Sequence, residues 1–252
     1  MPLFAKAEGE GRIPVVLLHG FGGSHAAWAA IQPQLASETL TLAYDLPGHG
    51  ESHDYPDAGP AKVAAQAILA DLAARGHERV HLVGHSMGGA IAALMAMFDP
   101  ARIASLTLLA PGGFGPQINH RLLTRYAQAG DQAALTACLE AMTGWYSPVS
   151  DETADAMLAA RAAPGRREKL MEIATGLTKD GKQGQLPRDR LEGLPMPVAV
   201  AWGELDNVLP ARQVQGLAPS FALHLFPGLG HMLPEEAPEA MLAIIRRMAV
   251  HQ

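Results

Sequence analysis

Residues 79–98 read RVHLVGHSMGGAIAALMAMF, a short apolar run followed by a glycine-rich turn and an alanine-rich helical pattern. The apolar run is typical of a buried strand, and the pattern after it predicts a helix over 87–98. Between them lies Gly84-His85-Ser86-Met87-Gly88, a Gly-x-Ser-x-Gly pattern in a strand-turn-helix context. A serine at the tip of so tight a turn needs small residues two places before and after it, because larger side chains would collide with the strand and the helix. The stretch therefore predicts a serine presented between a strand and a helix.

The rest of the chain continues this alternation of strand and helix. Short apolar runs bounded by glycine or proline predict further strands at 14–20, 40–45, 105–110, 198–202 and 223–226. Helical patterns lie between them at 25–36 and 60–76, and another follows at 235–249. A strand, a crossover helix and a second strand form a parallel unit. The expected fold class is therefore α/β, with a mostly parallel sheet flanked by helices.

One long segment lacks this alternation. From Phe114 to Leu191 we find no convincing strand, but several Ala, Leu and Met-rich helical patterns separated by glycine and proline. A βαβ connection needs only about ten residues, and this segment is far longer. We therefore expect residues 1–113 and 192–252 to form the α/β core, and residues 114–191 to form a helical cap inserted between two strands.

The composition argues against several classes of protein. The 252 residues carry 19 Lys and Arg against 25 Asp and Glu, a formal net charge of −6, and no basic run is present. This balance argues against a nucleic-acid or anionic-membrane surface and favours a neutral or small partner. The single cysteine, Cys138, allows no internal disulfide, and residues 1–11 show no leader pattern. We expect a cytoplasmic protein without a membrane segment, and the sequence leaves its oligomeric state open.

Two further stretches supply the groups that a serine nucleophile needs. Serine reacts poorly at its ordinary pKa, so it requires a base and a group that orients that base. Asp206 follows the strand predicted at 198–202, and His231 lies in the loop after the next strand. Asp206 would hold one ring nitrogen of His231 while the other faces Ser86, which fixes the tautomer and stabilises the imidazolium. Glu204, two residues earlier and nearer the strand end, is the competing acid.

A second glycine-rich turn ends the first predicted strand, at His19-Gly20-Phe21-Gly22-Gly23. In a parallel sheet of this kind, such a turn lies beside the serine turn. The backbone N–H groups of Phe21 and Met87 are therefore the candidates for an oxyanion hole that holds the anion of a tetrahedral intermediate. The alternative is that these glycines only turn a βα loop.

The sequence does not predict a metal or cofactor site. His49 and His53 are four residues apart, but they flank a loop and have no third ligand near them in the sequence. The turn at 20–23 matches neither the dinucleotide-binding nor the phosphate-loop spacing, and no lysine follows it. We therefore expect neither a metal nor an organic cofactor.

Five motifs together resemble the α/β-hydrolase superfamily over nearly the whole chain. They are the turn at 19–23, DLPGHGES at 45–52, GHSMGG at 84–89, Gly203-x-x-Asp206-x-x-x-Pro210 and Gly228-x-Gly230-His231. The resemblance implies that Ser86 is the nucleophile, Asp206 the acid and His231 the base, with Phe21 and Met87 as oxyanion amides. It also implies that the segment from Phe114 to about Pro187 is a cap that shapes the acyl pocket. A weaker resemblance, at 101–109 and 112–119, is to the hydrolase-like domain of the acyltransferase component of acetoin dehydrogenase complexes.

Large apolar residues near these motifs predict an apolar acyl pocket. For each of them, packing in the core is the competing interpretation. Arg121 and Arg125 stand one helical turn apart, and they would either clamp a substrate carboxylate or form a solvated face. The pocket candidates are Trp28, Met142, Trp145 and Tyr146.

These residues predict a serine hydrolase that cleaves small to medium carboxylic esters through an acyl-Ser86 intermediate. The serine argues against relatives with a carboxylate nucleophile, such as haloalkane dehalogenases and epoxide hydrolases. A carbon-carbon bond hydrolase of diketone or ring-fission products is the alternative, although such relatives typically carry Trp where this chain has Met232. A non-catalytic ligand receptor or signalling partner on the same fold is the third interpretation.

Overall fold

The computed structural model describes residues 1–145, 147 and 149–249. Seven strands form one sheet, in which only the first strand is antiparallel to its neighbour. This arrangement confirms the predicted α/β class with a mostly parallel sheet. The strands in the described residues are β1 (Ala5–Glu8), β2 (Val15–Leu18), β3 (Thr41–Tyr44), β4 (Val80–His85), β5 (Ile103–Leu109), β6 (Thr178–Lys179), β7 (Lys182–Gln183), β8 (Val198–Gly203) and β9 (Ala222–Phe226).

The strand order in the sheet is β1-β3-β2-β4-β5-β8-β9. Every residue of the five inner strands is buried, as expected for parallel strands covered on both faces. The edge strands β1 and β9 are partly exposed. The sequence did not predict β1, because Lys6 and Glu8 interrupt any apolar run. Its pairing with β3 defines it as a strand.

The helices cover the sheet and fill most of the segment between β5 and β8. Around the predicted helix at 25–36 the structure has a 3₁₀ turn, His25–Trp28, and a separate short helix. Pro33 accounts for the break, because proline is tolerated only in the first turn of a helix. Within the described ranges, no helix is long and apolar enough to cross a membrane. The α-helices are α1 (Gln32–Ala36), α2 (Ala61–Ala74), α3 (Met87–Phe98), α4 (His120–Gln128), α5 (Gln132–Glu140), α6 (Asp151–Arg161), α7 (Arg166–Gly176), α8 (Arg188–Glu192), α9 (Leu233–Glu236) and α10 (Pro238–Ala249).

We call residues 114–191 the insert, because they connect two neighbouring strands of the sheet, β5 and β8. Helix α4 packs against α5 and α7, and α5 packs against α6. The expectation that this segment contains no strand is wrong, because β6 and β7 form a hairpin. Its two-residue turn is Asp180-Gly181, with φ of 53° and 72°, the Asp-Gly pattern that favours tight hairpins. The division into a core and a cap stays a prediction.

The sheet topology brings four loops to one edge. Strands β2 and β4 are neighbours although the chain visits β3 between them, and Leu18 pairs with Gly84 at their carboxyl ends. Ligands of open α/β sheets bind at such a switch point, outside the carboxyl ends of the strands. The loops that follow β2, β4, β8 and β9 carry Phe21, Ser86, Asp206 and His231, respectively.

Candidate active site

Ser86 lies in a strained turn between β4 and α3. Its φ is 53° and its ψ is −115°, a conformation that is unfavourable for a residue with a side chain. The surrounding backbone holds it there. The N–H of Ser86 donates to the Leu109 carbonyl at 2.9 Å, and its own carbonyl accepts from the N–H groups of Gly112 at 2.9 Å and Ala90 at 3.1 Å. The sharp turn directs the Ser86 side chain away from the strand.

The glycines of the turn are required by close packing. A Cβ added to Gly88 would collide with the carbonyl oxygens of Leu18 and His19, at the end of β2. A Cβ added to Gly84 would collide with the backbone of Gly88. The first turn of α3 therefore lies directly against β2, which brings Ser86 next to the loop that contains Phe21.

A continuous chain of hydrogen bonds joins the three residues predicted from separate parts of the sequence. Ser86 Oγ and His231 Nε2 lie 2.9 Å apart, and His231 Nδ1 lies 2.7 Å from Asp206 Oδ2. All three residues are buried. With the ring proton on Nδ1, which faces the carboxylate, Nε2 accepts the hydrogen bond from the Ser86 hydroxyl. That tautomer has its free lone pair directed at the serine.

Asp206 is held by four hydrogen-bond donors. Its Oδ1 accepts from the N–H groups of Val208 at 2.8 Å and Leu209 at 2.7 Å. Its Oδ2 accepts from Trp202 Nε1 at 3.1 Å, in addition to His231. The competing acid, Glu204, is exposed. The structure therefore places Asp206 against the imidazole, and it identifies Trp202 as a partner that the sequence did not indicate.

The backbone of His231 is also held on both sides. Its N–H donates to the Met142 carbonyl of the insert at 2.7 Å, and its carbonyl accepts from His85 Nε2 at 2.7 Å. Burial lowers the pKa of His85 to about 3, so this ring stays neutral at physiological pH. We missed this role of His85 in the sequence, although it is the residue before the serine in the Gly-x-Ser-x-Gly pattern.

Two more buried histidines shape the loop after β2. His19 Nδ1 donates to the Gly20 carbonyl at 2.7 Å, and His49 Nε2 accepts from the Gly22 N–H at 3.1 Å. Burial lowers the pKa of His19 to about 4 and that of His49 to about 3, so both rings remain neutral and can accept as well as donate. These bonds fix the conformation of the loop around Phe21.

The two candidate oxyanion amides are available to a ligand. In the described part of the chain, the N–H of Phe21 has no hydrogen-bond acceptor. Met87 is the first residue of α3, and the first N–H groups of a helix have no acceptor within the helix. Phe21 and Met87 are 9% and 8% exposed, close to the 8% of Ser86. The N–H groups of Phe21 and Met87 could therefore both donate to an oxygen bound beside the Ser86 hydroxyl.

The predicted pocket residues lie in different environments. Trp28 is fully buried in the core, which is the packing position that the sequence left as the alternative. Met142 is buried, and its backbone carbonyl accepts a hydrogen bond from the His231 N–H. Trp145 is 74% exposed, which is not the environment of a residue that lines an enclosed pocket. Tyr146 lies outside the described residues. Arg121 and Arg125 are exposed and belong to a solvated face of α4.

An arginine that we did not single out in the sequence lies against the loop at 19–23. Arg161, at the end of α6, is only 7% exposed. Its guanidinium stacks on the ring of Tyr126, with the Cζ atom 4.2 Å from the ring centroid, and its Nη1 donates to the Tyr126 carbonyl at 2.9 Å. Its Nε and Nη2 atoms are buried without a hydrogen-bond partner among the described residues. Nη2 lies 3.2 Å from the position that a Cβ on Gly22 would take.

The histidine that the sequence considered for a metal site, His49, is bonded to protein groups in the structure. In the ranges that the structure describes, no three His, Cys, Asp or Glu side chains are grouped so that they could hold a metal ion. Both ring nitrogens of His49 are engaged, by Gly22 and by the Pro47 carbonyl. The described histidines of the site instead bond to serine, carboxylate and backbone groups.

Comparison with known proteins agrees with the fold and identifies the family of the chain. Residues 15–244 match the sequence model of the Alpha/beta hydrolase family. A dihydrolipoyllysine-residue acetyltransferase component of the acetoin cleaving system from Pseudomonas putida is 34% identical over 95% of this chain, which spans only 65% of that protein. A pimeloyl-[acyl-carrier protein] methyl ester esterase from Chromobacterium violaceum is 30% identical, over 92% of this chain and 91% of the esterase. A 2-hydroxy-6-oxononadienedioate/2-hydroxy-6-oxononatrienedioate hydrolase from Cupriavidus pinatubonensis is 28% identical, over 92% of this chain and 85% of that hydrolase.

These matches confirm both resemblances found in the sequence. The family match extends from β2 into α10, so it includes the four loops that carry Phe21, Ser86, Asp206 and His231. The chain belongs to the alpha/beta hydrolase family.

Proposed function

We propose that the protein is a serine hydrolase that cleaves small to medium carboxylic esters, with Ser86 as nucleophile, His231 as base and Asp206 as the residue that orients the base. The observation that carries this proposal is the hydrogen-bonded chain from Ser86 Oγ through both ring nitrogens of His231 to Asp206. A serine activated by an oriented imidazole is the arrangement that acyl transfer requires. The similarity to a methyl ester esterase supports the same reaction type.

In the proposed acylation step, Ser86 Oγ attacks the ester carbonyl carbon while His231 Nε2 takes the hydroxyl proton. The N–H groups of Phe21 and Met87 donate to the oxyanion of the tetrahedral intermediate. Asp206, already bonded to Nδ1, stabilises the imidazolium. The intermediate collapses when His231 returns the proton to the leaving alcohol oxygen, which leaves an acyl-Ser86 ester.

In the proposed deacylation step, His231 Nε2 takes a proton from water, and the resulting hydroxide attacks the acyl carbon. The same two backbone donors hold the second oxyanion. Collapse of this intermediate breaks the bond to Ser86 Oγ, which recovers its proton from His231, and releases the carboxylic acid. Ser86 Oγ and His231 Nε2 lie within hydrogen-bond distance of each other, so the first proton transfer requires no rearrangement of the base.

The test is kcat/KM for nitrophenyl esters with acyl chains from two to twelve carbons. We expect activity that peaks at one chain length, and a loss of more than about a thousandfold in Ser86→Ala, the scale for a lost member of such a triad. The Ser86→Ala protein should keep the circular dichroism spectrum of the wild type. A variant that retained near-normal turnover would disprove the assignment of the nucleophile.

A carbon-carbon bond hydrolase acting on an acidic substrate is the second candidate, and Arg161 is the observation that favours it. A buried arginine normally has a carboxylate partner, because an unpaired buried charge is unfavourable. The described residues offer Arg161 no such partner, and two of its nitrogens carry unsatisfied N–H groups. Both nitrogens are closed to solvent, so a substrate carboxylate would satisfy them if the loop at 19–23 moved to admit it. The similarity to a hydrolase of a dienedioate is consistent with such a substrate.

Paired substrates separate the two candidates. Turnover of a 2-hydroxy-6-oxo-dienedioate, with no turnover of any nitrophenyl ester, would favour the carbon-carbon hydrolase. In either case, Arg161→Met should raise KM about 10- to 100-fold for a substrate with a free carboxylate, because a hydrogen bond to a charged group is lost, and should leave a neutral substrate unchanged. Arg125→Met is the matched control, since Arg125 is exposed on α4. Equal effects of Arg161→Met on acidic and neutral substrates would exclude Arg161 as the carboxylate site.

A further inference from the structure

The carboxylate of Glu236 accepts hydrogen bonds from two separate parts of the chain. In the loop after β9, Gly230 N–H donates to Oε2 at 2.9 Å and to Oε1 at 3.1 Å, and Met232 N–H donates to Oε1 at 2.9 Å. In the insert, Gly144 N–H donates to Oε2 at 2.7 Å, and the Ser147 hydroxyl donates to the same oxygen at 3.1 Å. Glu236 therefore joins the loop that carries the base to the insert.

The two donors in the loop flank the base. Gly230 precedes His231 and Met232 follows it, so the carboxylate holds the chain on both sides of the imidazole-bearing residue. The backbone of His231 is itself bonded to the insert through the Met142 carbonyl, and to His85 through its own carbonyl. Glu236 touches neither Ser86 nor the imidazole ring in these bonds. Its influence on the base acts through the backbone.

The insert and the loop lie in direct backbone contact. A Cβ added to Gly230 would lie 2.8 Å from the Gly144 nitrogen, and one added to Gly144 would lie 2.8 Å from Leu229 Cα. The Trp145 N–H also donates to the Gly228 carbonyl, at 3.1 Å. Because no side chain separates the two segments, a displacement of the insert at 142–145 moves the loop at 228–232.

We propose that Glu236 is a positioning residue that couples the insert to the base, so that His231 Nε2 lies within hydrogen-bond distance of Ser86 Oγ only when both segments are bound to this carboxylate. The inference rests on the proposed function. It extends that function by giving the insert a role in activating the serine, apart from any contact with substrate.

The experiment compares Glu236→Gln with Glu239→Gln. Glu239 lies three residues further on and is exposed, and among the described residues its carboxylate accepts a hydrogen bond only from Gln34. This control therefore makes the same charge change away from the site. Glutamine at 236 has one side-chain oxygen in place of two. Its NH₂ group must face N–H groups that donate hydrogen bonds to the carboxylate in the wild type. The measurements are the rate at which a fluorophosphonate labels Ser86, kcat and KM for the best nitrophenyl ester, and the melting temperature.

We expect Glu236→Gln to slow labelling and to lower kcat at least tenfold, with KM within threefold of the wild type, because the variant disturbs the base and not the substrate contacts. The control should stay within twofold in every measurement. Glu236→Asp, which keeps the charge but is one methylene shorter, should label at a rate between those of the wild type and Glu236→Gln. If Glu236→Gln does not fold, the aspartate variant decides alone.

A labelling rate equal to that of the wild type in Glu236→Gln, or in the aspartate variant when that alone folds, would overturn the inference. A decrease in kcat matched by an equal increase in KM would also overturn it, because this would indicate a general distortion of the site. Fluorophosphonate labelling needs the serine and its base but no natural substrate. A wild type that labels but hydrolyses no ester would thus disprove only the ester specificity, and a wild type that does not label would disprove the proposed function and the inference with it.

Discussion

Replacement of Asp206 by asparagine tests whether the buried carboxylate selects the tautomer of His231. The carboxylate accepts hydrogen bonds from four donors, two on each oxygen. Two are the backbone N–H groups of Val208 and Leu209 on Oδ1, and two are Trp202 Nε1 and His231 Nδ1 on Oδ2. Asparagine offers acceptors on one side only, so one pair of donors must face an NH₂ group.

The hydrogen-bond inventory decides which way the amide turns. If the NH₂ group faced Val208 and Leu209, two buried backbone N–H groups would lose their acceptor, at about 1 to 3 kcal/mol each. On the other side, Trp202 Nε1 keeps a second acceptor in the Leu209 carbonyl at 2.9 Å, and His231 can change its tautomer. The amide nitrogen should therefore face His231. The ring then accepts at Nδ1 and carries its proton on Nε2, where it can no longer accept the proton of Ser86.

The expected loss follows from this change of tautomer. In a serine triad, replacing the aspartate by asparagine holds the histidine in the wrong tautomer and lowers kcat by about 10⁴-fold. This corresponds to a loss of about 5.5 kcal/mol of transition-state stabilisation. Stability should change far less, because the two bonds to Val208 and Leu209 remain. We therefore expect kcat for Asp206→Asn to fall by about four orders of magnitude while the protein stays folded.

The assay is steady-state hydrolysis of the best nitrophenyl ester, with circular dichroism and urea unfolding on the same samples. Glu204→Gln is the matched control, because Glu204 is exposed and lies two residues away; its activity should stay within twofold. An Asp206→Asn protein that is folded and retains more than a tenth of the wild-type kcat would refute this reasoning. A large loss in Glu204→Gln would instead show that the acid has been assigned to the wrong residue.

Two further predictions concern the stability of the fold. Gly88→Ala should destabilise the protein by more than about 3 kcal/mol, because the added Cβ would collide with the backbone at the end of β2. The control is Gly184→Ala, at a site with open space around it, which should change the free energy of unfolding in urea by no more than about 0.5 kcal/mol. Acidification should also destabilise the protein: burial lowers the pKa of three histidines from 6.5 to about 4, 3 and 3, so below pH 6.5 the unfolded chain binds protons that the native state does not. Between these pKa values and 6.5, each histidine should lower the free energy of unfolding by up to about 1.4 kcal/mol for each pH unit of acidification. The midpoint of urea unfolding at pH 5.5 should therefore be clearly below that at pH 7.5. Equal midpoints would contradict the assignment of neutral buried rings. The histidines are His19, His49 and His85.

The alternation of apolar runs and helical patterns was sufficient to predict the fold class. The inner strands are fully buried, so their sequences are nearly continuous apolar runs that can be recognised without knowledge of their neighbours. The edge strand β1 could not be found in this way, because its four residues are exposed or half-buried and include Lys6 and Glu8, and only its pairing with β3 defines it. The hairpin at 178–183 did carry a local signal, Asp180-Gly181, which we did not use.

The position of the candidate site was also largely contained in the sequence. Ser86, Asp206 and His231 each follow a predicted strand, and the carboxyl ends of parallel strands meet at one edge of the sheet. Their catalytic roles stay a prediction. The choice between Asp206 and Glu204 needed the structure, because both lie in the same short loop and only its folded path decides which carboxylate faces the imidazole.

What the sequence by itself determined was therefore the strand and helix pattern, the strained serine turn and the chain order of the three polar residues. What only the tertiary structure decided were contacts between distant segments. They are Arg161, which lies beside the loop at 19–23 with no carboxylate partner among the described residues, and Glu236 between the insert and His231. The physical reason is that local patterns report which faces of an element are buried, whereas the partner of a polar group depends on which remote backbone the fold brings within hydrogen-bond distance.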